Sequence, residues 1–265
     1  MTVLVTGGSE GIGLAVAAEA VKSGADVTLW ARSHSKLEKA KAALEAQRVR
    51  AEQRVSIHSV DVSDPGGVAR AAEAHLAEHG PPERLFHCAG YAVAAFLDKT
   101  QEDDIAGMLA VNLGGTIRVA RAFAPAMARR GKGAIVLTAS DLGFIGLFGW
   151  SVYTATKHGV VGFASALRHE LKPHGVSVQA LCPPATQTPG FDKENATKPP
   201  SVRKAEESGG VMRAADVGAF AWKRCGRGGL YLIPNGTSRM VYWLSRLSPS
   251  LVHAIVRAPG PGDAR

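Results

Sequence analysis

Tyr153 and Lys157 close the run Tyr153-Thr154-Ala155-Thr156-Lys157, and Ser140 lies upstream of both. On a helix the i to i+4 spacing sets a phenol and an ammonium on one face, a single turn apart. A tyrosine is a useful proton donor near neutrality only if its pKa of about 10 is brought down, and a fixed positive charge beside it does this by favouring phenolate. Each unit of such a shift needs about 1.4 kcal/mol. The chemistry this pair offers is reduction of a ketone, with the phenol supplying the proton. Taken alone, the same spacing also suits an ordinary amphipathic helix, so other parts of the chain must decide.

The segment Thr6-Gly7-Gly8-Ser9-Glu10-Gly11-Ile12-Gly13 follows a first apolar strand and opens a helix. Glycine lets the backbone turn sharply and come close to a pyrophosphate, while a helix N-terminus offers free N–H groups and partial positive charge. In that setting Gly7, Ser9, Glu10, Gly11, Ile12 and Gly13 predict a dinucleotide site. An enzyme using NAD places a carboxylate at the end of the second strand for the ribose 2′-hydroxyl. This chain has Ala31-Arg32-Ser33 there, with Lys36 one turn on. A guanidinium, a hydroxyl and an ammonium would meet the 2′-phosphate of NADPH; a solvated surface charge is the plainer reading of Arg32. At the end of the third strand Asp61-Val62 suits a contact to the adenine amino group, and Asp61 equally suits the cap of a helix starting near Pro65.

Positioning these residues requires an α/β fold. Apolar β-rich runs at 2–6, 26–30, 55–60, 84–88, 134–139, 177–181 and 230–233 alternate with helical patterns at 11–23, 36–53, 65–78, 101–130, 153–173 and 214–224. That alternation predicts one doubly wound, Rossmann-type parallel sheet of about seven strands with helices on both faces. The expected division is a reductase domain over 1–236 and an amphipathic tail over 237–265. The long stretch 183–208 reads as irregular and sits where a substrate lid would be.

With 265 residues, 46% of them hydrophobic, the chain can bury one substantial core. A net charge of +8 suits an anionic partner such as a phosphorylated cofactor or a membrane surface. No basic run is interleaved with aromatics, which argues against nucleic acid. Cys88, Cys182 and Cys225 are too few and too dispersed for a disulfide framework or a zinc site, and the nine histidines show no paired metal spacing. The opening Thr2-Val3-Leu4-Val5 has no charged and apolar leader before it, so the expected location is the cytoplasm.

Together, Thr6-Gly7-x3-Gly11-x-Gly13, the Cys88-Ala89-Gly90 turn, Asn112, Ser140, Tyr153 and Lys157 resemble the short-chain dehydrogenase/reductase family, in order and at family spacing over residues 1 to about 190. Two stretches, Gly146-Leu147-Phe148-Gly149-Trp150 and the run from Pro183-Pro184 to Pro199, resemble its 3-ketodihydrosphingosine reductases. Where most of the family has Asn-Asn-Ala-Gly, this chain has His87-Cys88-Ala89-Gly90, so the asparagine bonds that brace the central strand must be supplied differently. The hydrophobic segment ahead of the domain in the eukaryotic sphingoid reductases has no counterpart, and the one after it only a short version.

The resemblance implies roles. NADPH would deliver hydride to the C3 ketone of a long-chain 3-keto sphingoid base, an amino alcohol, and Tyr153 would donate the proton. Lys157 would lower the tyrosine pKa and hold the nicotinamide ribose, and Ser140 would polarise the carbonyl. Asn112 would kink the fourth helix and bind a water that reprotonates Lys157. Ala89 and Gly90 would meet the ribose, Thr188 and the backbone at Thr186 the nicotinamide carboxamide, and Pro183 would also contact the cofactor. Dimers or tetramers would form through the fourth and fifth helices. Leu142, Phe144, Ile145, Leu147, Phe148 and Trp150 suit one wall of a channel for the apolar tail, or simply the core. Met240, Trp243, Leu244, Leu247, Leu251 and Ile255 recur at helical spacing among Arg239, Arg246 and Arg257, with Ser248-Pro249 able to start a second short helix. That pattern predicts an interfacial segment on an anionic membrane, with packing on the substrate pocket or on a second subunit as the alternatives. Another lipophilic ketone, 3-oxoacyl, steroid or retinoid, is the second functional reading. A non-catalytic NADPH sensor is the third, and the retained Asn112, Ser140, Tyr153 and Lys157 count against it.

Overall fold

Strands covered on both faces read as nearly unbroken apolar runs, and those of this chain are β1 (Thr2–Thr6), β2 (Asp26–Ala31), β3 (Val55–Ser59), β4 (Arg84–His87), β5 (Gly133–Thr138), β6 (Val176–Leu181), the two-residue β7 (Thr186–Gln187) and β8 (Met212–Arg213), and β9 (Tyr231–Leu232). In the computed structural model, which describes residues 1–207 and 210–255, seven of them form a parallel sheet in the order β3-β2-β1-β4-β5-β6-β9. β7 and β8 pair separately. Ser208, Arg257 and the tail beyond 255 lie outside the described residues. The helices are α1 (Gly11–Lys22), α2 (His34–Glu45), α3 (Pro65–His79), α4 (Glu102–Met108), α5 (Thr116–Arg130), α6 (Ser151–Leu171), α7 (Pro189–Thr197), α8 (Pro200–Glu207), α9 (Ala214–Arg224), α10 (Gly236–Leu247) and α11 (Pro249–Ile255).

Alternate strand residues point to opposite faces, and the two faces carry separate cores. Leu4, Trp30, Leu85, Ile135 and Val178 pack with Phe123, Met127 and Val160 from α5 and α6. Val3, Val5, Val27, Leu29, Phe86 and Val136 pack with Val16, Ala20, Leu37, Leu44 and Val217 from α1, α2 and α9. Each such side chain contributes about 1.5–3 kcal/mol by leaving water. The strand order reverses direction between β1 and β4, which opens a crevice at their carboxyl ends.

Three elements differ from the sequence reading. The second helix stops at Glu45 rather than running to Gln53. Gln53 is buried, and its amide donates to the Val21 and Ala25 carbonyls at 2.8 and 2.7 Å, which ties the turn after α2 to the α1–β2 connection. The fourth helix is interrupted by a π-helical turn over Leu109–Gly115, centred on Asn112, at the place where a kink was expected. The stretch expected to be irregular carries β7, α7 and α8. Its prolines read as loop residues, but Pro189 and Pro200 occupy helix starts, where a missing N–H costs nothing.

Candidate active site

At the β1–α1 turn, Gly7 has φ +65°, and a Cβ there would come within 2.7 Å of the Ala89 backbone nitrogen. A Cβ on Gly13 would strike the Gly7 carbonyl. Only glycine lets this turn lie so close to the β4–α4 connection. The residue preceding α1, Glu10, makes no side-chain cap, so the first amides of that helix remain available to an anion. These features fit a pyrophosphate.

The turn opens into a cavity of about 800 Å³. Gly7, Ser9, Glu10, Gly11, Ile12, Gly13, Arg32, Ser33, Lys36, Asp61, Val62, Ala89, Gly90, Ser140, Tyr153, Lys157, Pro183, Thr186 and Thr188 all line it. Within that set the finer geometry departs from expectation. Lys36 is not free for a phosphate, because its Nζ pairs with Glu10 Oε2 at 2.6 Å. Ser33 Oγ caps α2 by accepting from Lys36 N. Arg32 is exposed, and its guanidinium has no hydrogen bond or ion pair among the described residues. Asp61 does not cap α3; Asp64 does, accepting from Gly66 N at 2.9 Å. Asp61 Oδ1 instead accepts from the amide and hydroxyl of Ser63. These bonds, helped by Arg32, bring its carboxyl below the ordinary value against the opposing effect of burial. Thr188 Oγ1 caps α7 by accepting from Phe191 N at 3.1 Å.

Asn112 sits behind the cavity wall. The π turn aims its amide at the β4–α4 connection, where Oδ1 accepts from Tyr91 N at 3.0 Å and Nδ2 donates to Tyr91 O at 2.8 Å. Nδ2 also reaches Thr156 Oγ1 at 3.3 Å, so one side chain joins the Ala89-Gly90-Tyr91 turn to α6. His87 replaces the missing asparagine brace: its Nδ1 meets Thr6 Oγ1 at 2.8 Å, linking β4 to β1. Burial, with Lys157 nearby, holds His87 neutral with a pKa lowered to about 3.

On α6 the Lys157 ammonium lies 5.4 Å from the Tyr153 ring centroid and donates to the Thr138 carbonyl at 2.9 Å. Burial lowers its pKa to about 8. The expected depression of the tyrosine is not found. Burial pushes the Tyr153 phenol well above its ordinary range, and the charges of Glu194 and Asp141 push the same way, against a hydrogen bond with Ser140. Ser140, at the end of β5, donates to Asp141 Oδ1 at 3.0 Å and accepts from Leu142 N at 3.2 Å. Burial raises Asp141 to about 6.

Asp141, Glu194 and Glu206 line the cavity and were missed by the sequence reading. Only the adjacency of Asp141 to Ser140 was visible, and the glutamates lay in a segment read as irregular. Of the six proposed wall residues, Leu142, Ile145, Leu147 and Trp150 line the cavity. Phe144 packs on Tyr242 at 5.4 Å and Phe148 stacks on Phe96. The tail divides by face. Val241, Leu244 and Val252 line the cavity, while Met240, Trp243, Leu247 and Leu251 are exposed. No helix of the described residues is long and apolar enough to cross a membrane.

The family model described as short chain dehydrogenase matches residues 1–199. A 3-ketodihydrosphingosine reductase of Bos taurus is 37% identical over 216 residues, covering 81% of this chain and 65% of that protein. A 3-dehydrosphinganine reductase of Danio rerio is 37% identical over 225 residues, 83% of this chain and 67% of that protein. The chain thus spans about two thirds of the length of these relatives. Among solved structures, levodione reductase superposes with a TM-score of 0.81 at 25% identity, covering 91% of this chain and 98% of its own. A short-chain dehydrogenase from Streptomyces avermitilis gives 0.80 at 25% identity, covering 94% of each chain.

Proposed function

The chain belongs to the short-chain dehydrogenase family, and on that premise we propose that it reduces the C3 ketone of a long-chain 3-keto sphingoid base with NADPH. The observation that carries the reading is the single cavity joining a glycine turn, Arg32, the Ser140–Tyr153–Lys157 group and an apolar wall of Leu142, Ile145, Leu147, Val241 and Leu244. The relatives named as 3-ketodihydrosphingosine and 3-dehydrosphinganine reductases support the substrate.

When bound, NADPH supplies the hydride, which adds to the ketone carbon while the cofactor becomes NADP⁺. The chain's own residues do the rest. Tyr153 transfers its phenolic proton to the oxygen as the carbonyl π electrons move there, giving an alcohol. Its raised pKa keeps the phenol protonated until that oxygen develops charge. Lys157 then stabilises the phenolate left behind. Ser140 orients the carbonyl, and Asn112 holds α6 against the Tyr91 turn so that the donors stay fixed. Arg32, unpaired among the described residues, would meet the 2′-phosphate.

Two further readings belong here. The exposed Met240, Trp243 and Leu247, with Arg239 on the same helix and Leu251 on the next, form a face for an anionic membrane, from which an apolar substrate would enter. Homo-oligomers would assemble through α5 and α6, and Ile117 on α5 remains exposed. The functional test is NADPH oxidation with a panel of ketones that includes 3-ketosphinganine. Turnover of that ketone above 3-oxoacyl, steroid and retinoid carbonyls is expected, and preference for one of those replaces the substrate assignment.

A further inference from the structure

The substrate end of the cavity carries more negative charge than its neighbours neutralise. Asp141, Glu194 and Glu206 line it. Asp141 is held by Ser140 and Ser238, and Glu206 is paired with the buried Lys198. The Lys198 ammonium also lies over the Trp150 and Phe191 rings, 5.0 and 4.7 Å from their centroids. The Glu194 carboxylate, by contrast, has no hydrogen bond or ion pair among the described residues. Lys193, beside it in sequence, is exposed. A second group is also unmet. Trp150 is 2% exposed and forms part of the same wall, and its indole N–H has no acceptor among the described residues. Its ring lies 5.5 Å from that of Tyr153.

An unmet carboxylate in the cavity that holds a proton-donating tyrosine matches a substrate with a cation beside its ketone. Building on the reductase reading above, we propose that Glu194 is a substrate-binding residue that holds the C2 ammonium of a 2-amino-3-ketone. The ammonium sits on the carbon next to the carbonyl, so fixing it fixes which face of the ketone meets the hydride. Glu194 already acts electrostatically on both Tyr153 and Lys157. Burial raises its carboxyl to about 7 despite Lys198, as expected of an anion with an incomplete set of partners.

The test compares full-length wild type and Glu194→Gln on 3-ketosphinganine and on the matched ketone with a C2 hydroxyl in place of the amine. Wild type should favour the amino ketone in kcat/KM, and the ratio should fall about 10- to 100-fold in the variant, the range for a lost charged hydrogen bond. Glu194→Asp should recover part of it. A ratio unchanged by Glu194→Gln, or no amine preference in wild type, overturns the proposal. If Glu194→Gln does not fold, dodecylamine and dodecanol are compared as inhibitors of wild type reducing a small soluble ketone. Stronger inhibition by the amine supports an ammonium site there, and equal inhibition overturns it. Because that arm needs no sphingoid turnover, failure to reduce either long ketone counts against the reductase assignment and leaves the ammonium site to the inhibitors.

Discussion

Ser140 donates its hydroxyl proton to Asp141 Oδ1 at 3.0 Å, so the residue expected to polarise the substrate carbonyl is tethered to a buried carboxylate. The tether has a cost that depends on pH. Burial raises Asp141 to about 6 from 3.8, with Glu206 adding to the effect against hydrogen bonds from Ser140, Leu142 and Ser238. A carboxyl with a raised folded pKa contributes stability below its unfolded pKa and loses it as pH rises through about 6. Asp141→Asn keeps an acceptor for Ser140 but cannot ionise. Its unfolding free energy should exceed that of wild type above a pH of about 7, by on the order of 2 kcal/mol, and the gap should close toward pH 4. A gap independent of pH would assign the change to packing.

Tyr153→Phe removes the proton donor and leaves its ring against Trp150. Turnover should fall about 10²- to 10⁴-fold, with NADPH affinity measured by fluorescence nearly unchanged. Residual activity within about tenfold of wild type would require another acid.

Lys157 gives a second pH signature. Since burial lowers its pKa to about 8, the ammonium is lost as pH passes through that value, and kcat/KM should decline on the alkaline side. Lys157→Arg keeps its charge there, so its alkaline limb should move upward even if its rate is lower. A wild-type profile that stays flat across this range removes Lys157 as the titrating group.

Arg32 and Lys36 should separate experimentally although both line the cavity. Arg32 is unpaired among the described residues, whereas Lys36 is held by Glu10 at 2.6 Å. Arg32→Ala should weaken NADPH about 10-fold or more and NADH little, because only NADPH carries the 2′-phosphate. Lys36→Ala should cost less than Arg32→Ala. Equal losses for the two cofactors in Arg32→Ala would place the phosphate elsewhere.

Strands such as Val3-Leu4-Val5 and Ala134-Ile135-Val136-Leu137 were legible because burial on both faces demands apolar residues at every position. Tyr153 and Lys157 were legible because helical spacing brings them together without help from the rest of the fold. Contacts between distant segments were not. The Asn112 clamp on Tyr91 needs a π turn that local propensity does not announce. The Glu10–Lys36 pair joins residues 26 apart in sequence, and nothing local told Lys36, which has that partner, from Arg32, which has none among the described residues. Glu194 and Glu206 escaped notice because Pro189 and Pro200 read as breaks rather than helix starts.

The tail requires a finer test than removal. Ser238 reaches Asp141 Oδ2 at 3.5 Å, Tyr242 packs on Phe144 and Tyr231, and Arg246 donates to the Tyr231 hydroxyl at 2.7 Å. Cutting after Thr237 would therefore open the cavity along with any membrane face, and loss of activity would say nothing of lipid. The exposed side is separable, since Trp243 is 60% and Leu247 79% exposed. Trp243→Ser with Leu247→Ser should reduce co-sedimentation with anionic liposomes several-fold while turnover of a small soluble ketone stays near wild type. Wild-type binding should weaken with salt as the screening length shrinks from about 10 Å at 0.1 M. Leu244→Ser, one residue away but facing the cavity, should instead impair reduction of the long-chain ketone and leave liposome binding in place. If wild type ignores anionic liposomes at low salt, or the double variant binds them equally well, the exposed face serves another purpose.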